Sequence, residues 1–120
     1  MATGTVTITE TTYTSVKLVA FAWTSTAGGA ASDVTANAFD GQVLMLATNP
    51  DNTSIPSDNY SVTITDSNGN DVLAGQGATR DQTNTEYVVS SLGAVAGSKL
   101  TLNVSAAGDA KKGVVYLYIR

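Results

Sequence analysis

The sequence predicts an all-β protein, an antiparallel β-sandwich of seven to eight strands, and three observations carry that prediction. Short segments alternate apolar and polar residues with a period of two, as in residues 5–10 and 60–66. Turn-forming residues recur between them, Asn68-Gly69 being the clearest case. The composition leans the same way, because β-branched Thr and Val suit a pleated surface and no segment shows convincing amphipathic helical spacing.

In residues 5–10, Val6 and Ile8 share one face while Thr5, Thr7 and Thr9 share the other, the pattern of a strand with one wet side. In residues 15–24 both faces are apolar: Val16, Leu18, Ala20 and Ala22 on one, Val19, Phe21 and Trp23 with Lys17 on the other. Such a strand is expected to be central or covered by a partner. Residues 25–33 contain Gly28-Gly29 among small residues with no apolar anchor, and are expected to form a mobile loop. Residues 36–39 suit a short strand ending in a turn at Asp40-Gly41. The apolar run at 42–48 has the length and flanking turns of a buried strand.

Residues 49–59 form a long polar loop that holds both prolines, Pro50 and Pro56. Residues 60–66 alternate again, Asn68-Gly69 supplies the positive φ of a tight hairpin, and residues 71–74 are expected to lead back as its second strand. Residues 86–92 fit a strand or a single helical turn equally well. Residues 99–106 place Leu100, Leu102 and Val104 inward, and in residues 114–120 Val115, Leu117 and Ile119 oppose Val114, Tyr116 and Tyr118. Seven to eight strands with closely spaced turns read as one sandwich domain over 1–120, jelly-roll or immunoglobulin-like, with residues 1–4 as an N-terminal arm.

Charge and chemistry narrow the function. Charged residues make up 13% of the 120 residues, against a usual share of about 25%. The net charge of −4 with six scattered basic residues argues against nucleic acid as a partner. No stretch approaches the ~20 apolar residues of a membrane span. Residues 1–5 lack a basic segment followed by an apolar run, so the expectation is synthesis in the cytosol without secretion.

The chain has neither His nor Cys, which removes the commonest general base, the commonest metal ligand and the best nucleophile together. Glu10 and Glu86 are the only glutamates and the aspartates fall mostly in turns, so no catalytic pair emerges. The expectation is a protein without enzymatic activity and without cofactor.

Other motifs weaken on inspection. Asp66, Asn68 and Asn70 alternate like the opening of a calcium loop, but the sixth and twelfth positions hold Asp71 and Gly77 where Gly and Glu are needed, and Asn-Gly favours a hairpin turn. Three Asn-x-Ser/Thr triplets, at Asn52, Asn59 and Asn103, have no route to glycosylation without a secretory signal. Gly75-Gln76-Gly77 lacks the strand-to-helix context of a phosphate loop.

Phe21, Trp23, Tyr116 and Tyr118 are candidates for a subunit interface, the alternatives being core positions or an aromatic platform for sugars. Gly28 and Gly29, together with Asp51, Asn52, Asp58 and Asn59, mark two candidate partner-facing loops.

The segments Asn59-Tyr60-Ser61-Val62-Thr63-Ile64-Thr65-Asp66, Asp71-Val72-Leu73-Ala74-Gly75, Lys99-Leu100-Thr101-Leu102-Asn103-Val104 and Gly113-Val114-Val115-Tyr116-Leu117-Tyr118-Ile119-Arg120 together resemble small structural proteins of tailed bacteriophages. The similarity is one of style and short segments and spans most of the chain. Proteins of that kind include capsid decoration, or cement, proteins, which are β-rich, often trimeric, and bind outside the shell where major capsid subunits meet. The resemblance implies an accessory virion protein, made in the host cytoplasm and placed on the capsid exterior as a homotrimer bound to the major capsid protein. A head-tail connector, tail-tube or fibre domain has nearly the same composition. The second class of function is a carbohydrate-binding or host-adhesion module, suggested by the aromatics and by the loop at 49–59.

Overall fold

Alternation with a period of two decides which side chains this chain buries, and it operates in nearly every long strand. The computed structural model describes residues 4–120, which form nine strands and no helix. These are β1 (Thr5–Thr12), β2 (Lys17–Thr24), β3 (Ala31–Val34), β4 (Phe39–Pro50), β5 (Ser61–Thr65), β6 (Glu86–Val88), β7 (Ala94–Ser98), β8 (Thr101–Ser105) and β9 (Lys112–Ile119). The larger sheet runs β1-β2-β9-β4-β6, with β7 also paired to β4, and the smaller runs β3-β8-β5. Every pairing is antiparallel.

The two sheets enclose one apolar core, so the expected β-sandwich is the architecture found. Val19, Phe21 and Trp23 from β2, Leu46 from β4, and Val115, Leu117 and Ile119 from β9 meet Val62 and Ile64 from β5 and Leu102 and Val104 from β8. Each is essentially fully buried, and each such side chain stabilises the fold by roughly 1.5–3 kcal/mol relative to exposure. Strand β2 is central in its sheet, between β1 and β9, with its Val19, Phe21 and Trp23 face buried against the second sheet and its Leu18, Ala20 and Ala22 face turned outward.

Several local expectations are corrected. Asp40-Gly41 does not turn the chain; it is an irregularity inside the long strand β4, where the register shifts between Phe39 and Gly41. Gly41 adopts a φ of 128°, and a Cβ there would strike the carbonyl of Arg120, so the strand continues only because this residue has no side chain. The return strand expected at 71–74 is absent. A tight turn does form at Asn68-Gly69, with Asp66 accepting from the amides of Asn68 and Asn70, but beyond it the return is one isolated bridge, Asp71 with Thr65, followed by Val72 donating to the carbonyl of Ile64.

From there side chain replaces ladder. The Asp71 carboxylate accepts from the amides of Ile64 at 3.2 Å, Leu73 at 3.1 Å and Gly75 at 2.9 Å, which winds the chain into turns while Val72 and Leu73 enter the core. Of residues 86–92 only Glu86–Val88 form a strand, the short β6, and the pattern of β7 is too short and too small in side chain to stand out in the sequence. Gly93 fastens the sheets together there, donating to the carbonyl of Val72 while accepting from the amide of Val43. Of the N-terminal arm, residues 1–3 lie outside the described residues, and Gly4 sits against the backbones of Thr24 and Ala30.

One end of the core is polar. Trp23 and Tyr60 stack at a tilt with ring centroids 5.6 Å apart, and Trp23 Nε1, Tyr60 Oη and Thr48 Oγ1 are all buried without a hydrogen-bond partner. Burial pushes the Tyr60 phenol up to about 12, and the Thr48 hydroxyl beside it pulls the other way without reaching hydrogen-bond geometry.

Two outcomes are expected. At Gly113, opposite Trp23 on β9, an added Cβ would lie 2.6 Å from the indole Cζ2, so Gly113→Ala should lower stability by about 1–3 kcal/mol in a denaturant titration followed by Trp23 emission. Because Tyr60 is raised in the folded state, the unfolded chain ionises first. The associated stability is full below the ordinary value of 10.0 and is lost as pH climbs towards about 12. Alkaline unfolding curves should show that loss, and Tyr60→Phe should flatten it.

Candidate functional site

The large sheet has a second face, and the strand registers define it row by row. Thr9, Ala20, Tyr116, Ala47 and Tyr87 lie side by side across β1, β2, β9, β4 and β6. Thr11, Leu18, Tyr118 and Met45 form the row on one side, and Thr7, Ala22, Val114 and Asn49 the row on the other. No charged residue occurs in these three rows. Small Ala20 and Ala47 alternate with the rings of Tyr116 and Tyr87, so the face is ridged rather than flat. Tyr87 is 66% exposed, while Tyr116 and Tyr118 are half-buried.

This separates the four candidate aromatics. Phe21 and Trp23 project into the core and are 0% and 1% exposed, so they cannot share a surface with Tyr116 and Tyr118, which lie on the opposite side of the same sheet. The expected four-residue aromatic patch is corrected to Tyr116, Tyr118 and Tyr87. The parity of β2 was legible, but nothing in its pattern told which apolar face looks inward. Tyr87 went unnoticed because β6 is only three residues long.

The candidate loops converge at one end of the sandwich. The loop expected to be mobile at 25–33 is instead anchored by Ser25, whose Oγ donates to the carbonyl of Gly108 at 2.6 Å and accepts from the amide of Lys111 at 2.8 Å. Gly28 is exposed, but Gly29 is buried and its carbonyl accepts from the amide of Ala107. The neighbouring loop reaches the same segment: Ser57 donates to the carbonyl of Ala107, and Lys112 donates to that of Ser54. Residues 106–111, not singled out by their sequence, are therefore the bridge between the two candidate loops.

Within the longer loop, Asp51 is half-buried and Asn52, Asp58 and Asn59 are exposed. Asp51 accepts from the amides of Ser54 at 2.6 Å and Thr53 at 3.0 Å, and these bonds hold its carboxyl below the usual range, with Lys112 adding a smaller effect. Asn59 takes a φ of 64° and donates its amide to the carbonyl of Arg80. Both loops are shaped by their own backbone bonds, which suits a preformed surface.

Between the outer face and this loop lies an open cleft of about 540 Å³, lined among others by Thr5, Thr7, Thr24, Asn49, Asp51 and Lys112. Hydroxyls and amides dominate it. The Asp66 turn presents its carboxylate to its own amides, as a hairpin turn would. Glu10 and Glu86 are likewise engaged locally, Glu10 with the amides of Ala36 and Asn37, Glu86 with the amide of Asp81 and with Arg80 at 3.4 Å.

No protein family matches this chain, and no curated protein matches it.

Core and surface aromatics should respond differently to truncation. Phe21→Ala and Trp23→Ala should each cost about 3–5 kcal/mol, enough to abolish cooperative folding of a small domain, whereas Tyr87→Ser should change stability by no more than about 0.5 kcal/mol. Thermal melts of the three variants check this contrast.

Proposed function

We propose that this chain is a non-enzymatic structural protein that works by binding, an accessory component of a tailed-phage virion of the capsid decoration type. The observation that carries the binding role is the uncharged outer face of the large sheet, where Tyr116, Tyr118 and Tyr87 are set among Ala20, Ala47, Met45 and Leu18. Apolar faces of this kind on a rigid sheet mark contact surfaces. The virion assignment rests on the resemblance of its segments to phage structural proteins. A chain without His or Cys has little with which to perform turnover, and a preformed surface repeated over a lattice gains avidity beyond any single contact.

In this role the loop end bearing Gly28, Asp51, Asn52, Asp58 and Asn59 faces the major capsid protein, and the apolar face takes a neighbouring subunit, as in the trimers that the resemblance implies. The capsid exterior is then its working location. A sugar-binding role is the second reading, favoured by the hydroxyl- and amide-lined cleft beside Tyr116's face.

Co-sedimentation of labelled protein with purified heads of the phage that encodes it tests the proposal. Saturable binding, weakened by Asp58→Lys with Asn59→Lys, is expected. Absence of binding to heads, with retention on a glycan array, transfers the function to sugar recognition.

A further inference from the structure

The sheet edges of this molecule are protected unequally, and the exception is β1. The outer edge of β5 is covered by residues 71–80, through Val72 donating to the carbonyl of Ile64, Val62 to that of Gly77, and Arg80 to that of Tyr60. Strands β6 and β3 have three and four residues, and β3 carries Asp33. Strand β1 has eight residues, and among the described residues its backbone pairs with β2 alone. An exposed edge of that length normally carries a lysine, a proline or a bulge, because its free amides and carbonyls otherwise recruit another strand. Strand β1 has none of these.

Its one charge is also withdrawn. Glu10 bends over to accept from the amides of Ala36 and Asn37 and from the Asn37 side chain, all within 2.9–3.0 Å. The stretch whose outer side has no backbone partner is Thr5 to Thr9, with β3 packed nearby from the other sheet, Thr5, Thr7 and Thr9 exposed, and Val6 and Ile8 half-buried against the core.

We propose that β1 pairs with β1 of a second copy, antiparallel about a two-fold axis through Thr7. The sequence of the strand names this occupant because it is complementary to itself. In an antiparallel pair, residues directly opposite point to the same face. Centred on Thr7, the pairing sets Thr7 against Thr7, Thr5 against Thr9, and Val6 against Ile8, so threonine meets threonine on the outer face and apolar side chains meet on the inner one. It spans the open stretch and leaves Glu10 outside it. The contact is isologous and therefore closes at two copies. The five-stranded path of each copy then continues into the other, and the two uncharged outer faces become one surface.

The absence of cysteine provides a register-specific test. Single variants Thr5→Cys, Thr7→Cys and Thr9→Cys change exposed positions, and opposite residues in an antiparallel pair stand about 4.5–5.5 Å apart at Cα, within disulfide reach. Mild oxidation is expected to convert Thr7→Cys into a covalent dimer and to leave the other two largely reduced. The β1 pair is a contact additional to any made through the outer face, so sedimentation equilibrium of the unmodified chain is expected to give an even number of copies, which Thr7→Lys halves by opposing two like charges, while Tyr87→Ser leaves the β1 contact intact.

A monomer at every concentration overturns the proposal, as does a trimer in which Thr7→Cys stays reduced. A monomer whose Thr5–Thr9 amides gain exchange protection only on mixing with phage heads also overturns it, because the strand then belongs to another protein. Head binding and β1 pairing are read separately, so either can fail alone.

Discussion

The insertion of β9 between β2 and β4 is the constraint on which the rest of the structure depends. Residues 112–119 are the last strand of the chain, yet they sit in the middle of the larger sheet, pairing over their whole length with β2 and from Gly113 to Ile119 with β4. Without β9, β1 and β2 would be an isolated hairpin and β4 would lose its main partner. One alternation serves two surfaces: Val115, Leu117 and Ile119 complete the core, while Val114, Tyr116 and Tyr118 form the middle of the outer face. The close fit of Gly113 under the Trp23 ring fixes the register at one end of that strand. Pairing of such distant segments makes folding dependent on non-local contacts, which are entropically slow to form.

Polar side chains do much of the remaining backbone work. Asp71 replaces a strand ladder, Ser25 clasps residues 108–111, Thr35 accepts from the amide of Leu100, and Glu10 holds the turn at Ala36. Buried amides need partners, and where the chain leaves a regular sheet these short oxygens supply them. This accounts for a composition rich in Thr, Ser and Asp yet poor in salt bridges: only Lys17 with Asp40 and Arg80 with Glu86 pair among the described residues. Lys17 with Asp40 is a surface pair that contributes little and Arg80 with Glu86 is a single half-buried pair, so the fold rests on apolar packing and on satisfied backbone groups.

The surfaces available for binding are consequently separate and differently built. The outer face is uncharged, with its aromatic and aliphatic side chains bordered by threonines and Asn49, and it is rigid because it belongs to the central sheet. The loop end is polar and held by hydrogen bonds to residues 106–111. The edge of β1 offers backbone groups rather than side chains. The three lie at different places around one core, so occupancy of one leaves the others free.

Much of this was determined by the sequence alone. Period-two alternation in residues 5–10, 60–65, 100–105 and 114–119 decided strand identity, and in the first three, where one face is polar, it also decided the buried parity, because burial of one face leaves no other choice. The lack of His and Cys bounded the chemistry in the same direct way. Other features were decided only in three dimensions. Phe21 and Trp23 are core and Ala20 and Ala22 are surface because β9 and β5 lie where they do; both faces of β2 were apolar, so periodicity had no preference. Asp40-Gly41 became an irregularity rather than a turn because Arg120 passes close beside it. Asp71 abolished a strand through three hydrogen bonds that its local sequence did not announce. Tyr87 joined Tyr116 through a register set by residues far apart in the chain. Local pattern specifies which way a side chain alternates, and only the neighbours supplied by tertiary structure decide which alternate is inside.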